Sequence, residues 1–333
     1  MHRTGIFLHI CTMKKLRIVF MGTPEFATAS LERIIDTGYK VAGVVTSPDK
    51  PAGRGRKVSE SPVKKLAQSH DLKVLQPTNL KSPEFIEKFR ALKANLGVVV
   101  AFRMLPEVIW SMPEYGTFNL HASLLPDYRG AAPIQHVIMN GEKETGVTTF
   151  FLRNEIDTGD VILRKKVEIG DSETAGDLHD KLMVTGAELV AGTLSAIGSD
   201  NLRLKKQSDL IDTGQTLHVA PKIYKDDCRI DWNNPGVKVY NKIRALSPSP
   251  GAFTHLIKPD GKSHKVKIYK SKYKKSDSKC NPGKISITQK NEFLIDCSDG
   301  KISIIEIQLE GKKRIGAKDF LNGFPISDDW FSK

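Results

Sequence analysis

Several short stretches of the chain are almost wholly apolar and are bounded by Gly, Pro or charged residues. Leu16–Met21, Lys40–Thr46, Leu96–Phe102 and Gly146–Leu152 are of this kind. They are too short for buried helices and read as strands buried on both faces, the signature of a parallel sheet. Lys73–Pro77 and Val161–Ile169 add further strands. Between them the apolar period changes to that of a helix. Ala27, Leu31, Ile34 and Ile35 mark one helix, and residues 61–70 form another with Pro62 in its first turn. Residues 82–94, 131–139 and 174–195 follow, the first opened by Ser-Pro-Glu. Strand, helix and strand in alternation predict an α/β fold: a Rossmann-like, doubly wound, mostly parallel sheet. The first turn, Gly22-Thr-Pro-Glu-Phe26, lacks G-x-G-x-x-G, so a dinucleotide is not indicated.

The pattern shifts after residue 200. Ser199–Thr216 is polar and reads as a linker, here bounded at 201–217. Beyond it, His218–Ile223 opens a second domain, Ile230–Trp232 reads as a strand and Val239–Leu246 as a helix ended by Ser247-Pro-Ser-Pro-Gly251. Short strands then recur at 264–270, 283–288, 292–297 and 301–309. Their spacing predicts a small β-barrel at 218–330, after an α/β domain at 14–200. Residues 1–13 fit neither domain; the first twelve are too short and too weakly apolar for a signal peptide and read as an extension or a disordered tail ahead of a start at Met13.

Charge separates the two parts. Of a net +13, residues 219–333 carry +10, from 23 Lys and Arg against 13 Asp and Glu. That asymmetry favours a polyanion, with nucleic acid ahead of simple solubility charge. Lys265 and Lys267 alternate along one expected strand, and Lys270, Lys272, Lys274 and Lys275 continue the patch into an expected loop. A second basic stretch, Ser47–Lys57, carries Arg54, Arg56 and Lys57 among Pro and Gly. Its composition argues for a mobile loop, and phosphate contact and plain solvation explain it equally well. No apolar run is long enough for a membrane span. Cys11, Cys228, Cys280 and Cys297 are scattered, as in a reduced, cytoplasmic protein without a disulfide frame or metal site.

The candidate chemistry lies after the strand at 96–102. In Phe118-Asn-Leu-His121, apolar and polar residues alternate, so an extended segment puts Asn119 and His121 on one face. Ser123-Leu-Leu-Pro126 breaks the strand. Asn154–Asp160 then supplies Asp157 in a Gly-containing turn after another strand. A carboxylate beside an imidazole fixes its tautomer and favours its charged form. Asn, His and Asp together suit acyl transfer without a covalent nucleophile. Gln135 and His136 read as structural, and Asp177, His179 and Asp180 as a solvated helix face.

The segment N-L-H-A-S-L-L-P-D-Y-R-G-A-A-P-I-Q (119–135), with I-D-T-G-D (156–160), resembles the formyltransferases that use 10-formyltetrahydrofolate. The resemblance extends over residues 14–326, through Leu309-Glu-Gly-Lys-Lys-Arg-Ile315 and Asp319–Gly323 near the end. It implies an OB-like second domain and an acceptor that is initiator methionyl-tRNA. It implies catalysis by Asn119, His121 and Asp157, and a pterin held by the backbone of Ser123, Leu124, Leu125 and Pro126. The basic loop is then the insertion that reaches the acceptor end of the tRNA, with Arg54 on its important arginine. Lys265, Lys267, Lys270 and Lys272 would meet tRNA phosphates. Family members commonly have Ala-Tyr-Gly where this chain has Ala101-Phe102-Arg103. No metal is required by such a reaction, and a monomer is expected. The rival readings are a relative acting on a small amine, such as glycinamide ribonucleotide or an amino-sugar nucleotide, and a tRNA-binding protein without activity.

Overall fold

The computed structural model describes residues 14–52, 57–200, 202–214, 216–289, 291–327 and 329–333. They form two packed units. The first holds residues up to Asp127 with Gly146–Lys166 and Lys181–Leu217; the second holds Tyr128–Thr145, Val167–Asp180 and His218–Lys333. The chain therefore passes between the units more than once before residue 218.

The first part runs β1 (Arg17–Gly22), α1 (Glu25–Asp36), β2 (Lys40–Val45), β3 (Lys50–Ala52), β4 (Lys57–Ser59), α2 (Pro62–Ser69), β5 (Val74–Leu75), α3 (Pro83–Arg90), β6 (Leu96–Val100), α4 (Glu107–Trp110) and β7 (Thr117–His121). After β8 (Arg129–Gly130) and α5 (Pro133–Met139) come β9 (Glu144–Phe151), β10 (Val161–Glu168) and the long α6 (Ala175–Gly198). The main sheet has the order β10-β9-β7-β6-β1-β2-β5. Pairs from β5 to β7 are parallel, and β9 lies antiparallel to β7. The doubly wound sheet expected from the pattern is thus present.

Local sequence explains the boundaries. Ser61 and Ser82 cap α2 and α3, their hydroxyls accepting from Lys64 N and Phe85 N, with Pro at the next position of each. The helix expected over 82–94 ends at Arg90, and Lys93 takes φ +49°. One face of the sheet, with Val19, Met21, Val45 and Val99, packs on Phe85 and Phe89 of α3 and Ile109 of α4. On the other face, Thr149 of β9 hydrogen-bonds Thr193 of α6 at 2.7 Å, and a Cβ on Gly186 of α6 would meet Leu120. Both faces being covered is why the strands read as unbroken apolar runs.

Two parts of the first unit depart from expectation. The basic stretch at 47–57 contains a two-stranded hairpin, β3 against β4, with Lys50 opposite Ser59. Polar groups outside the stretch hold its base. Lys64 Nζ lies 2.5 Å from Asp49 and 2.7 Å from Glu60, one just before β3 and one just after β4. Gln76 Nε2 donates to Asp49 and to Ser47 O. These partners hold the Asp49 carboxyl below its usual range, Lys64 first and Gln76 second. The segment read as a linker also has structure. Lys205 pairs with Val161 through two backbone bonds of 2.8 and 3.0 Å, and Gln207–Leu210 is a 3-10 turn.

The second unit continues with β11 (Val219–Ala220), paired in parallel with β8, then α7 (Gly236–Ala245), β12 (Ala252–Ile257), β13 (Ser263–Lys275), β14 (Ile285–Ile287), β15 (Phe293–Cys297), β16 (Gly300–Leu309), β17 (Ile315–Gly316), α8 (Ala317–Gly323) and β18 (Phe331–Ser332). The antiparallel order is β14-β15-β16-β13-β12-β18, with β17 beside β16. A bridge between Lys284 and Phe331 nearly closes the barrel. At that seam Gly283, at φ +88°, brings its Cα so near Ser332 O that a Cβ would sit 2.3 Å from it. Ile268, Phe293, Ile295, Ile302, Ile304 and Ile307 fill the barrel. The OB-like domain expected from the resemblance is therefore a barrel of this kind.

Ile230–Trp232 does not form the expected strand. Only Arg229 bridges to Phe253, with Ile230 N donating to Phe253 O, while Trp232 turns into the core and donates from Nε1 to Thr254. The lysines after Lys270 also differ. They continue β13 as far as Lys275, paired with β16, rather than entering a loop.

Candidate active site

Asn119 and His121 occupy alternate positions of β7, opposite Phe150 and Thr148 of β9. Phe118 and Leu120, the intervening residues, are buried in the core, which fixes the register. Asn119 shares its face with Val99 and Met21 of the neighbouring strands. His121 is the last residue of β7 and is only 6% exposed. Its ring is thus held at a strand end and largely withdrawn from water.

The chain after β9 brings Asp157 to this histidine. Phe151 N donates to Asp160 O and Leu152 N to Thr117 O, so the turn between them returns beside β7. Asp157 Oδ2 lies 3.9 Å from His121 Nδ1. That is longer than a hydrogen bond, and both side chains are largely withdrawn from water. Asp157 adopts φ +54°, a left-handed conformation that non-glycine residues seldom use and that gathers at functional turns. Gly159 is required for a different reason. A Cβ there would lie 1.6 Å from Phe151 O.

Ser123–Pro126 is a braced loop. Thr148 Oγ1 donates to Ser123 O at 2.7 Å and accepts from Leu125 N at 3.1 Å. Ser123 Oγ donates to Asp127 O, Asp127 N to Leu124 O, and Arg164 to Leu125 O. The Leu125–Pro126 peptide is cis. Leu125 is fully buried against Phe150 and Val161, and Leu210 packs on the same cluster. Backbone groups of this loop are already engaged at several positions, so what it offers a ring is chiefly a fixed shape.

Thr148, Arg164 and Gln207 brace the site and were not singled out from the sequence. Thr148 sits in a strand of otherwise ordinary pattern, and Gln207 in a polar segment with no period. Only the pairing of Thr148 with His121 across β7 and β9 marks it, and that pairing is a tertiary fact. At the chain's departure from the common pattern, Ala101 takes φ +46°, Phe102 packs against the α3–α4 side, and Arg103 donates to Pro77 O and Thr78 O. The arginine thus caps the segment that follows β5.

The basic residues divide into three kinds. Arg54 and Arg56 lie outside the described residues; Lys57 is placed in β4 without a described side chain. Lys265 sits 4.0 Å over the Phe253 ring, Lys267 donates to Pro250 O, and Lys274 pairs with Glu292. Lys270 and Lys272 are exposed on β13. The register of β13 against β16 shifts around Lys270, and Ile268 and Tyr269 are both buried there. That bulge changes the phase of the strand, so Lys265 and Lys267 before it and Lys270, Lys272 and Lys274 after it share the outward face.

His136 of α5 is bonded to Pro221 O and serves structure, as expected. Within the second unit it borders a cleft of about 850 Å³ lined also by Asn140, His218, Lys222, Asp231 and Lys242. None of the Asn119, His121 and Asp157 group lines that cleft, and the convergent polar groups, not its volume, mark the candidate site. Burial holds the Lys242 amine below its usual range. Among the described residues no group of three or more His, Cys, Asp or Glu is arranged to hold a metal, and no helix is long and apolar enough to cross a membrane.

Comparison with known proteins bears on the chain as a whole. Residues 16–194 match the formyl transferase family and residues 222–325 its C-terminal domain. A methionyl-tRNA formyltransferase of Bacteroides thetaiotaomicron is 49% identical over 320 residues, 96% of this chain and 99% of that protein. One from Flavobacterium johnsoniae is 48% identical over 317 residues, 95% of this chain and 99% of that protein. Among solved structures, the sugar 3N-formyl transferase WlaRD shares the fold at TM-score 0.60 and 21% identity, covering 90% of this chain and all of that one. HypX from Aquifex aeolicus, solved with tetrahydrofolic acid, shares it at TM-score 0.60 and 19% identity over 93% of this chain and 48% of HypX. With two matched domains in sequence and relatives near half-identical from end to end, the chain belongs to the formyl transferase family.

Proposed function

We propose that this protein transfers the formyl group of 10-formyltetrahydrofolate to the α-amino group of methionine on initiator tRNA, producing formyl-methionyl-tRNA for translation initiation. The observation that carries the acceptor is near-complete coverage, at close to half identity, of relatives named for that reaction. The basic second unit supports it independently, since a small amine acceptor does not call for a +10 domain.

The amine nitrogen is a nucleophile once neutral, so no Ser or Cys attack is needed. A bond forms from that nitrogen to the formyl carbon, and the carbonyl oxygen gains negative charge. Asn119 and His121 donate to that oxygen, each worth on the order of 3 kcal/mol in the transition state. Asp157, 3.9 Å from the ring, orients His121. The amine loses its proton toward this pair as the carbon–nitrogen bond to the donor breaks. The donor nitrogen leaves with a proton, restoring the balance. The fixed shape of Ser123–Pro126 suits a flat ring, and Leu124, half-exposed there, is the side chain that would border it.

Arg54, Arg56 and Lys57 of the basic stretch, with Lys265, Lys267, Lys270 and Lys272, grip tRNA phosphates. Lys270 and Lys272 are the freest to do so, because Lys265 and Lys267 already have partners. The reaction draws on charge placement by protein groups and runs without a metal. The protein acts as a monomer in the cytoplasm, where its charged tRNA is made.

The test is acceptor competition. Purified protein is given 10-formyltetrahydrofolate with initiator methionyl-tRNA, glycinamide ribonucleotide or a dTDP-amino sugar. Formylation of the tRNA by at least 100-fold in kcat/KM over either small amine is the expected result. Preference for a small amine overturns the acceptor; tight tRNA binding with no formylation of any acceptor overturns the enzyme reading.

A further inference from the structure

The turn that carries Asp157 is held from beneath by a residue outside the motif. Gln207 is only 4% exposed. Its Nε2 donates to Asp157 O at 2.8 Å and to Gly159 O at 2.9 Å. Both hydrogens of one side-chain amide are thus spent on two carbonyls that flank Thr158. The first bond fixes the peptide plane leaving Asp157, and hence the ψ angle of a residue whose φ is +54°. The second fixes the plane leaving Gly159, where the chain passes so close to Phe151 O that nothing larger than glycine fits.

Gln207 is itself anchored. It opens the 3-10 turn Gln207–Leu210, two residues after Lys205 pairs with Val161 at the start of β10. Leu210, at the other end of that turn, packs into the cluster of Leu125, Phe150 and Val161. The same short segment therefore touches both the Asp157 turn and the buried leucine of Ser123–Pro126. Two side-chain ties lie farther from the carboxylate. Arg153 pairs with Asp160 on an exposed side, and Thr158 Oγ1 donates to Glu155 O. Residues 153–156, which lead into the turn, are exposed and add little packing to it.

We infer that Gln207 is a positioning residue for the transfer reaction, setting the left-handed turn that aims the Asp157 carboxylate at His121. This rests on the reading of Asp157 as part of the catalytic group. A carboxylate on a turn serves a histidine only while its direction is fixed, and a misplacement near 1 Å costs on the order of 100-fold in rate. Gln207→Glu keeps the shape and replaces the donor amide by oxygen facing two carbonyl oxygens.

The experiment is a double-mutant cycle on kcat for formyl-methionyl-tRNA formation, with Gln207→Glu, Gln207→Ala, Asp157→Ala and the combined variants. KM for tRNA and for the folate, and the thermal midpoint, are measured alongside. Each Gln207 variant should lower kcat roughly 10- to 100-fold with both KM values within about threefold, and should have no further effect once Asp157 is alanine. Relative to wild type at each pH, Gln207→Glu should recover as pH falls and its carboxyl regains a proton to donate. If Asp157→Ala collapses kcat while both Gln207 variants match wild type, the inference fails and the catalytic reading stands. A Gln207 effect equally large without Asp157 makes the residue structural and overturns the inference. If Asp157→Ala itself leaves kcat unchanged, it is the catalytic reading that fails. Should Gln207→Ala lose its fold, Gln207→Glu, of the same volume, carries the comparison.

Discussion

At the residue scale, the site depends on a few backbone positions that admit little choice. Asp157 sits in a left-handed conformation, and Gly159 two residues on has no room for a side chain. The Asp-Thr-Gly-Asp sequence is in this sense a geometric statement: the glycine lets the turn come back against Phe151 O. Gly159→Ala should therefore lower formylation by at least about 100-fold and destabilise the first unit by roughly 1–3 kcal/mol. Activity assays and thermal unfolding check this; an alanine variant as active as wild type contradicts the turn geometry. Burial pushes the Cys297 thiol up to about 11 and raises that of Cys228, so both are poor nucleophiles at neutral pH.

At the element scale, much was legible because core packing leaves a period. The buried strands and capped helices of the α/β part stand in the sequence as runs and as Ser-Pro starts, and the structure has them within a few residues. Asn119 and His121 were legible from simple alternation, since Phe118 and Leu120 must face the core. What escaped notice was held by tertiary contact. Gln207 lies in a polar segment whose composition reads as linker, yet its amide is buried beneath a turn 50 residues earlier. The hairpin at 50–59 has almost no apolar side chains, and its base is closed by Lys64, Asp49, Glu60 and Gln76, whose pairing no local pattern announces. Ile230–Trp232 looks like a strand because apolar Ile230 and Trp232, both buried, alternate with exposed Asp231, but the one bridge beside it is made by Arg229. The lysine spacing in β13 did hold a clue. An odd run at 265 and 267 followed by an even run at 270, 272 and 274 is the mark of an inserted residue, and the bulge sits there.

The bulge has a measurable consequence. Lys270 and Lys272 are exposed, whereas Lys274 is already paired with Glu292. Replacing Lys270 and Lys272 together by serine should weaken tRNA binding and reduce the magnitude of the slope of log Kd against log salt by about 2, with folate binding unchanged. The matched change at Lys274 should reduce it by less. Equal effects at all three positions would show that the ion pair does not shield Lys274 and would undo this ranking.

At the scale of the whole molecule, the proposed function puts the chemistry in the first unit and most of the grip on tRNA in the second. The first builds a donor face at one end of a doubly wound sheet, where open α/β sheets commonly bind ligands. The second is a nearly closed barrel that carries most of the net charge. Family membership follows from both halves together, while the assignment of Asn119, His121 and Asp157 rests on their convergence in the first. The most direct test of that assignment is the single-turnover rate of formyl transfer to initiator methionyl-tRNA, with enzyme in excess, for wild type and His121→Ala, alongside tRNA and folate affinities. The account predicts a fall of at least about 1,000-fold in the rate with both affinities nearly unchanged. A His121→Ala rate within tenfold of wild type would contradict it and move the chemistry to other residues.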